Sequence, residues 1–368
     1  MRNQVDVFHV TTPRHWLIAS ALAYIQKKPA ILLIENTFSD ADKYVEATKN
    51  WSESPFIDVI QVFGKRDWLC EKGLLRAWLK HQETHSKRRL IKQLSGNYAI
   101  CSFYSASVRD WFCQYVVHLV KRSNNPLEVY YLDDGARTYF DEKSAAKSKL
   151  NVLSRKLSYG SWYEYPSTYQ KTPWLKSAYV FHPMLVNSDI KNLNVNKIEP
   201  AWFELDSLRQ LHHNLFVSLG FGSLIEKLTL SSGQNTFFIF TKLSLLYKNC
   251  PNFNLEKFKS IVYKAIETAE NNGEVVWIKY HPREEGDDVF HIIERFENIH
   301  MLPHGFAFDL LLPYLSEGDK MFGEMSTVLF DVALQRPKVE VHSLGCLDDD
   351  SMLSKTFQKA GVNLNPPS

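Results

Sequence analysis

Apolar and polar positions along the chain fall into a repeated strand–helix rhythm. Residues 5–10 read as a strand, the sequence Thr11-Thr12-Pro13 stops it, and a helix follows over residues 14–25 before a buried apolar strand at residues 30–34. Further strands are predicted at residues 56–63, 98–104 and 127–132, with a long basic helix over residues 74–94. The pattern weakens from residue 143 to 172, where Lys, Ser, Tyr and Pro dominate and aromatic residues mix with Gly and Pro. This stretch reads as an irregular segment near a domain boundary, either a connecting loop or part of a binding surface. A second rhythm starts near Asn235, with strands at 236–241, 274–279, 299–302 and 320–323. Helices are predicted at 255–271, 288–296 and 308–315, and after Ser326-Thr327 as far as Gln335.

Alternating strands and helices with short connections predict parallel α/β sheets. Two such rhythms in 368 residues predict two doubly wound domains, at residues 1–170 and 235–368, with 171–234 as a linker and inter-domain segment. In such sheets ligands bind beyond the carboxyl ends of the strands, and that rule selects three loops.

The first is Tyr130-Tyr131-Leu132-Asp133-Asp134-Gly135. Two carboxylates follow an apolar strand, and Gly135 permits a tight turn. Adjacent carboxylates are expected to raise one another's pKa, so that a partly buried one serves as a general base near neutral pH. The same residues also read as an Asp-rich turn capping the next helix. The second loop is Lys279-Tyr280-His281-Pro282-Arg283, where a histidine fixed by a following proline stands at a strand end. His281 there suits a proton donor and Lys279 a contact to a base or a phosphate, while a loop histidine satisfied by its neighbours is the other reading. In the third, Gly323-Glu324-Met325-Ser326-Thr327, two hydroxyls stand at a strand-to-helix junction. They serve equally as helix cap and as part of an anion site at the helix N-terminus.

Composition narrows the classes of function. Hydrophobic residues make up 45% and charged residues 23%, as in a globular protein. The 43 Lys and Arg against 41 Asp and Glu give a net charge of +2, so no nucleic-acid partner is expected. Five scattered cysteines without a C-x-x-C pair predict neither a disulfide framework nor a zinc site and fit a reducing compartment. The first residues read as a strand rather than a signal peptide, and no apolar run reaches bilayer-spanning length. The absence of a Walker loop and of G-x-G-x-x-G argues against ATP-dependent phosphoryl transfer and hydride transfer.

Taken together, Asp-Asp-Gly, Lys-x-His-Pro and Ser-Thr resemble, in order and spacing from Tyr130 to Gln335, the motif set of bacterial sialyltransferases. These include the polysialyltransferase-like and lipooligosaccharide sialyltransferase families. The resemblance implies a GT-B glycosyltransferase: two Rossmann-like domains facing across a cleft, the N-terminal one on the acceptor side and the C-terminal one binding the nucleotide sugar. It implies an inverting transfer of sialic acid from a CMP-sialic acid donor to a hydroxyl of a surface glycan, in capsule, O-antigen or lipooligosaccharide synthesis, with no cofactor and no metal. Asp134, or its neighbour Asp133, would deprotonate the acceptor hydroxyl, and His281 would protonate or hydrogen-bond the departing phosphate. Gly135, Lys279, Pro282, Asp309, Ser326 and Thr327 would bind the donor: Ser326 and Thr327 at its phosphate, Lys279 near the cytidine, and Asp309 at the ribose, where the families usually carry a glutamate. The location implied is cytoplasmic, with peripheral association at an inner membrane or polysaccharide assembly complex left open. The alternatives are a related GT-B transferase using CMP-Kdo or another nucleotide sugar, and a non-catalytic glycan assembly subunit.

Weaker features remain. Asp348-Asp349-Asp350 has the D-x-D spacing of metal-dependent transferases but reads as a solvated loop. Lys87-Arg88-Arg89 and Lys121-Arg122 read as solvated helix faces or as contacts for an anionic polymer or lipid headgroups. The pair His212-His213 reads as structural, and His15 is a candidate for touching the acceptor.

Overall fold

A computed structural model describes residues 2–122, 126–140, 149–165, 172–249, 253–284, 286, 288–324, 326–344 and 352–364. The chain divides into two compact units, Met1–Gly220 and Phe221–Ser368. The first is built on β1 (Asn3–Val10), β2 (Ala30–Glu35), β3 (Phe56–Val62), β4 (Tyr98–Ser105), β5 (Glu128–Leu132), β6 (Leu175–Val180) and β7 (Asn194–Lys197). Their spatial order is β3-β2-β1-β4-β5-β6-β7, every pair parallel. Its helices are α1 (Pro13–Gln26), α2 (Ala41–Lys49), α3 (Arg66–Leu69), α4 (Gly73–Asn97), α5 (Trp111–Arg122), α6 (Ala136–Tyr139), α7 (Lys149–Tyr159) and α8 (Asp206–Ser218). The second unit has five parallel strands, β8 (Asn235–Ile239), β9 (Val275–Lys279), β10 (Ile299–Leu302), β11 (Lys320–Gly323) and β12 (Glu340–Ser343), in the order β10-β9-β8-β11-β12. Helices α9 (Gly222–Leu230), α10 (Leu243–Asn249), α11 (Leu255–Asn271), α12 (Thr327–Gln335) and α13 (Met352–Ala360) accompany it. The mixed α/β fold expected from the sequence is therefore present as two Rossmann-like units.

The central strands explain their own placement. Val7, Phe8, Ile31, Leu32, Leu33 and Ile34 are all buried, as strands covered on both faces require. Helix α1 starts where Thr12 accepts a hydrogen bond from the His15 amide (3.3 Å) and Pro13 occupies the first turn. Asn254 likewise caps α11 through the Lys257 amide (2.9 Å). Gly323 ends β11 because a Cβ there would come within 2.5 Å of the Ile239 carbonyl oxygen of β8.

Four expectations are corrected. Residues 171–234 are not a linker: they contain β6 and β7, which complete the first sheet, together with α8 and α9. Within the expected irregular stretch 143–172, residues 149–159 form α7. The helix expected over 288–296 is a series of turns around Asp288, which accepts from the Tyr280 hydroxyl (2.7 Å) and the Ile293 amide (2.7 Å). A left-handed His291 (φ 55°) interrupts it as well. The segment expected as a helix at 308–315 is a 3-10 helix, Phe308–Tyr314, with Pro313 inside it. Asp348–Asp350 lies outside the described residues. Among the described residues no helix is long and apolar enough to cross a membrane. His212 is buried beside Trp16 (5.7 Å between ring centroids), and burial pushes its imidazole down to about 3, in keeping with a structural residue.

In the second unit Asp319 ties the amino ends of two strands together. Its carboxylate is fully buried and accepts from the amides of Gly233 (2.9 Å), Asn235 (3.0 Å) and Ser316 (2.8 Å) and from the Asn235 side chain (3.1 Å). Removing it strands several buried donors, each worth about 1–3 kcal/mol when unsatisfied. Asp319→Ala is expected to lower stability by on the order of 3 kcal/mol or more in a denaturant titration. A loss below about 1 kcal/mol would contradict this role.

Candidate functional site

The carboxyl edge of the first sheet gathers residues from β1, β5 and β6. Asp133 follows β5, and its amide donates to the Tyr179 carbonyl of β6 (3.0 Å), extending the strand pairing by one residue. Gly135, left-handed at φ 66°, turns the chain back so that its amide reaches Asp133 Oδ1 (2.8 Å). The same oxygen accepts from Arg14 Nη2 (2.8 Å) and Thr138 Oγ1 (3.3 Å), and Oδ2 accepts from the Phe181 amide (3.1 Å) and the Tyr139 hydroxyl. Asp133 is fully buried. Five donors and no exposure leave it no oxygen to offer a substrate.

Asp134 differs. Its side chain is 24% exposed, and Oδ1 lies 3.1 Å from His15 Nε2, with Arg137 Nη1 at 3.6 Å from Oδ2. His15 is itself buried, with Nδ1 3.0 Å from Thr11 Oγ1. The ring thus bridges Thr11 and Asp134, with Nε2–H donating to the carboxylate. Burial alone would push the Asp134 carboxyl up, but the His15 hydrogen bond and charge, with Arg137 and Arg14, hold it below the usual range. At Asp134 the upward shift expected from a neighbouring carboxylate is thus reversed, because its hydrogen bond to His15 and its cationic neighbours outweigh burial. Asp134 is ionised at neutral pH and partly accessible, which is what a proton acceptor needs.

In the second unit β9, β8 and β11 are neighbours, so the residues after them share one edge. His281 follows β9, and its Nδ1 accepts from the Arg283 amide (3.0 Å). That bond places the ring proton of neutral His281 on Nε2. Burial, then the charges of Arg283, Lys279 and Lys242, depress its pKa against a smaller opposing effect of Glu284. The site therefore holds a neutral N–H donor in a positive field. Pro282 is exposed beside it. Lys279 is buried, and Nζ donates to the carbonyls of Tyr280 (3.1 Å) and His304 (3.1 Å). Burial pushes the ammonium down to about 8, with Asp309, in the first turn of the 3-10 helix, acting in the opposite sense.

Ser326 is the N-cap of α12 and accepts from the Leu329 amide (3.3 Å), while Thr327 is exposed in the first turn. The capping reading is therefore present, and it leaves the positive helix end available to an anion. Lys279, His281, Asp309, Ser326 and Thr327 belong to this unit, and Asp133, Asp134 and Gly135 to the other.

Sequence reasoning missed Arg14, whose partner is 119 residues away, and Glu324. Glu324 directly follows β11, is buried, and accepts from the Thr241 amide at the end of β8 (2.9 Å). Burial raises its carboxyl to about 8, so it is largely neutral at pH 7. A charged residue two positions before a helix cap is the only signal the sequence carried.

No family model and no curated protein matches the chain. Solved structures do. The chain is similar to the alpha/beta-galactoside alpha-2,3-sialyltransferase of Photobacterium phosphoreum, with a TM-score of 0.59 at 12% identity, covering 99% of this chain and 98% of that one. It is also similar to a sialyltransferase from Photobacterium damsela, with a TM-score of 0.59 at 12% identity over 99% of this chain and 81% of that one. The gt-b domain of a Photobacterium damselae sialyltransferase gives 0.55 at 12% identity, over 98% and 97%. At these identities the likeness is one of fold: two Rossmann-like units of the GT-B type, the architecture of glycosyltransferases.

Proposed function

We propose that the chain is an inverting sialyltransferase that moves sialic acid from CMP-sialic acid to a glycan hydroxyl. The observation that carries this reading is His281: a histidine with its proton fixed on Nε2, in a field of Lys242, Lys279 and Arg283, on the same sheet edge as the N-terminus of α12. That combination suits a phosphate leaving group, and the GT-B fold shared with sialyltransferases is in keeping with glycosyl transfer.

In this reading the acceptor oxygen attacks the anomeric carbon of the donor sugar as the bond from that carbon to the phosphate oxygen breaks on the opposite face. The acceptor proton passes to Asp134, held in place by His15. The electron pair of the breaking bond stays on the phosphate oxygen. His281 Nε2–H and the α12 amides stabilise that oxygen, so CMP leaves without a metal being required. Gly135 shapes the turn that presents Asp134. Ser326 and Thr327 hold the phosphate, Asp309 the ribose, and Pro282 fixes the His281 loop. Lys279, tied to two carbonyls, keeps the loop after β9 and the segment at His304 together beside the nucleotide.

The two aspartates are expected to fail differently. Asp134→Asn removes the base and should reduce transfer by on the order of 10²–10⁴-fold with CMP binding little changed. Asp133→Asn should instead lower the melting temperature, since an amide cannot accept from the donors now converging on both oxygens. A fully active Asp134→Asn, or an Asp133→Asn as stable as the parent but inactive, would move the base to the other residue. His281→Ala should weaken both turnover and CMP affinity in calorimetry. Asp134 and His281 are both held below their ordinary ranges. The acid limb of kcat/KM should therefore lie below the pH at which an ordinary histidine titrates, as protonation of Asp134 removes the base. An inflection at or above that pH would contradict the assignment.

Donor choice and metal use are tested together. With CMP-sialic acid, CMP-Kdo and UDP-sugars assayed in parallel, turnover is expected with the first and should survive EDTA with little loss. Preference for CMP-Kdo or a UDP-sugar would keep the fold and overturn the donor. A strict magnesium or manganese requirement would point to Asp348–Asp350.

A further inference from the structure

We infer that α4 and α7 form a docking surface for a bilayer bearing anionic headgroups. Helix α7 is amphipathic in the sense opposite to that of a soluble surface helix. Its body-facing side carries Val152 and Tyr159, the latter stacked on Trp111 at 5.2 Å between centroids. Leu150, Leu153 and Leu157, spaced three and four apart, lie on the other side and are 76%, 57% and 80% exposed. Leucines scattered singly on a surface need no explanation, but a stripe of three on one short helix does.

Helix α4 adds a second stripe. At helical spacing, Leu74, Trp78, His81, His85, Arg89 and Lys92 follow one another along one side, and all are exposed. Leu74 is 90% and Trp78 55% exposed. The two helices are tied together, for Arg88 Nη2 donates to the Tyr159 carbonyl at 2.8 Å.

Charge selects the occupant. Helix α4 carries six Lys and Arg against the single acid Glu83, and α7 carries three against none, in a chain whose total is 43 against 41. Glu83 is already engaged by Lys87 (2.7 Å) and the Trp68 indole (2.6 Å), and Lys87 is buried with Glu35 (2.9 Å). Among the described residues, the cations Arg89, Lys92 and Lys156 face solvent without forming an ion pair. Leucine and tryptophan side chains that insert between acyl chains, flanked by Lys and Arg at headgroup level, match an anionic bilayer. Nucleic acid would match the cations and leave the leucines in water. The inference does not depend on the glycosyl-transfer reading.

Flotation of the full chain with vesicles tests it. The protein should float with vesicles of phosphatidylcholine and phosphatidylglycerol, less so as salt rises, and not with phosphatidylcholine alone. Leu153→Ser with Leu157→Ser, and separately Arg89→Ala with Lys92→Ala, should each weaken partitioning by roughly ten-fold. Melting temperatures should be unchanged, because these side chains are exposed. Absence of flotation, equal binding to neutral vesicles, or unchanged binding by both variants would overturn the proposal. So would a concentration-dependent dimer abolished by the leucine variant, which would make a second copy of the chain the occupant.

Discussion

A buried carboxylate has to be matched wherever the chain places it, and at Asp133 that demand organises the whole carboxyl edge of the first sheet. Leaving such a charge without partners costs several kcal/mol. Here Arg14 is drawn in from the start of α1, the amide of Phe181 from the end of β6, and Tyr139 and Thr138 from the turn after β5. Because Arg14 is held, the first turn of α1 is held, and His15 comes within 3.1 Å of Asp134. One aspartate is spent on architecture so that the next can face solvent in a defined setting.

The second unit uses burial the other way. Lys279 and Glu324 are both pushed toward about 8, the lysine downward and the glutamate upward, and His281 is also driven toward its neutral form. The edge thus offers oriented donors, the His281 N–H and the α12 amides, beside Lys242, Lys279 and Arg283. Oriented N–H donors at a helix N-terminus suit a phosphate. The proposed function accordingly gives the anion to this unit and the proton acceptor to the other.

Much of this was legible in the sequence because local rules governed it. Apolar runs at β1, β2 and β9, the Ser326 cap and the glycine turn after Asp134 all follow from nearest-neighbour chemistry. What was not legible depended on distant partners. The segment 288–296 has helix-like composition, yet Asp288 is captured by the Tyr280 hydroxyl and the chain turns instead. Strand β7, Asn194–Lys197, was hidden in an apparent linker because it has no buried residue. The division of labour between Asp133 and Asp134 could not be read either, since Arg14 and His15 reach them across 119 residues. The leucines of α7 have an amphipathic spacing whose direction, outward, only packing reveals.

The central claim, that the edge formed by β9, β8 and β11 receives the phosphate of a cytidine nucleotide, is tested most directly by a crystal structure of the protein with CMP bound. The account predicts the phosphate at the N-terminus of α12 within hydrogen-bond distance of His281 Nε2, with Ser326 and Thr327 on its oxygens and the ribose toward Asp309. A nucleotide bound elsewhere, or bound here with His281 turned away from the phosphate, would contradict it.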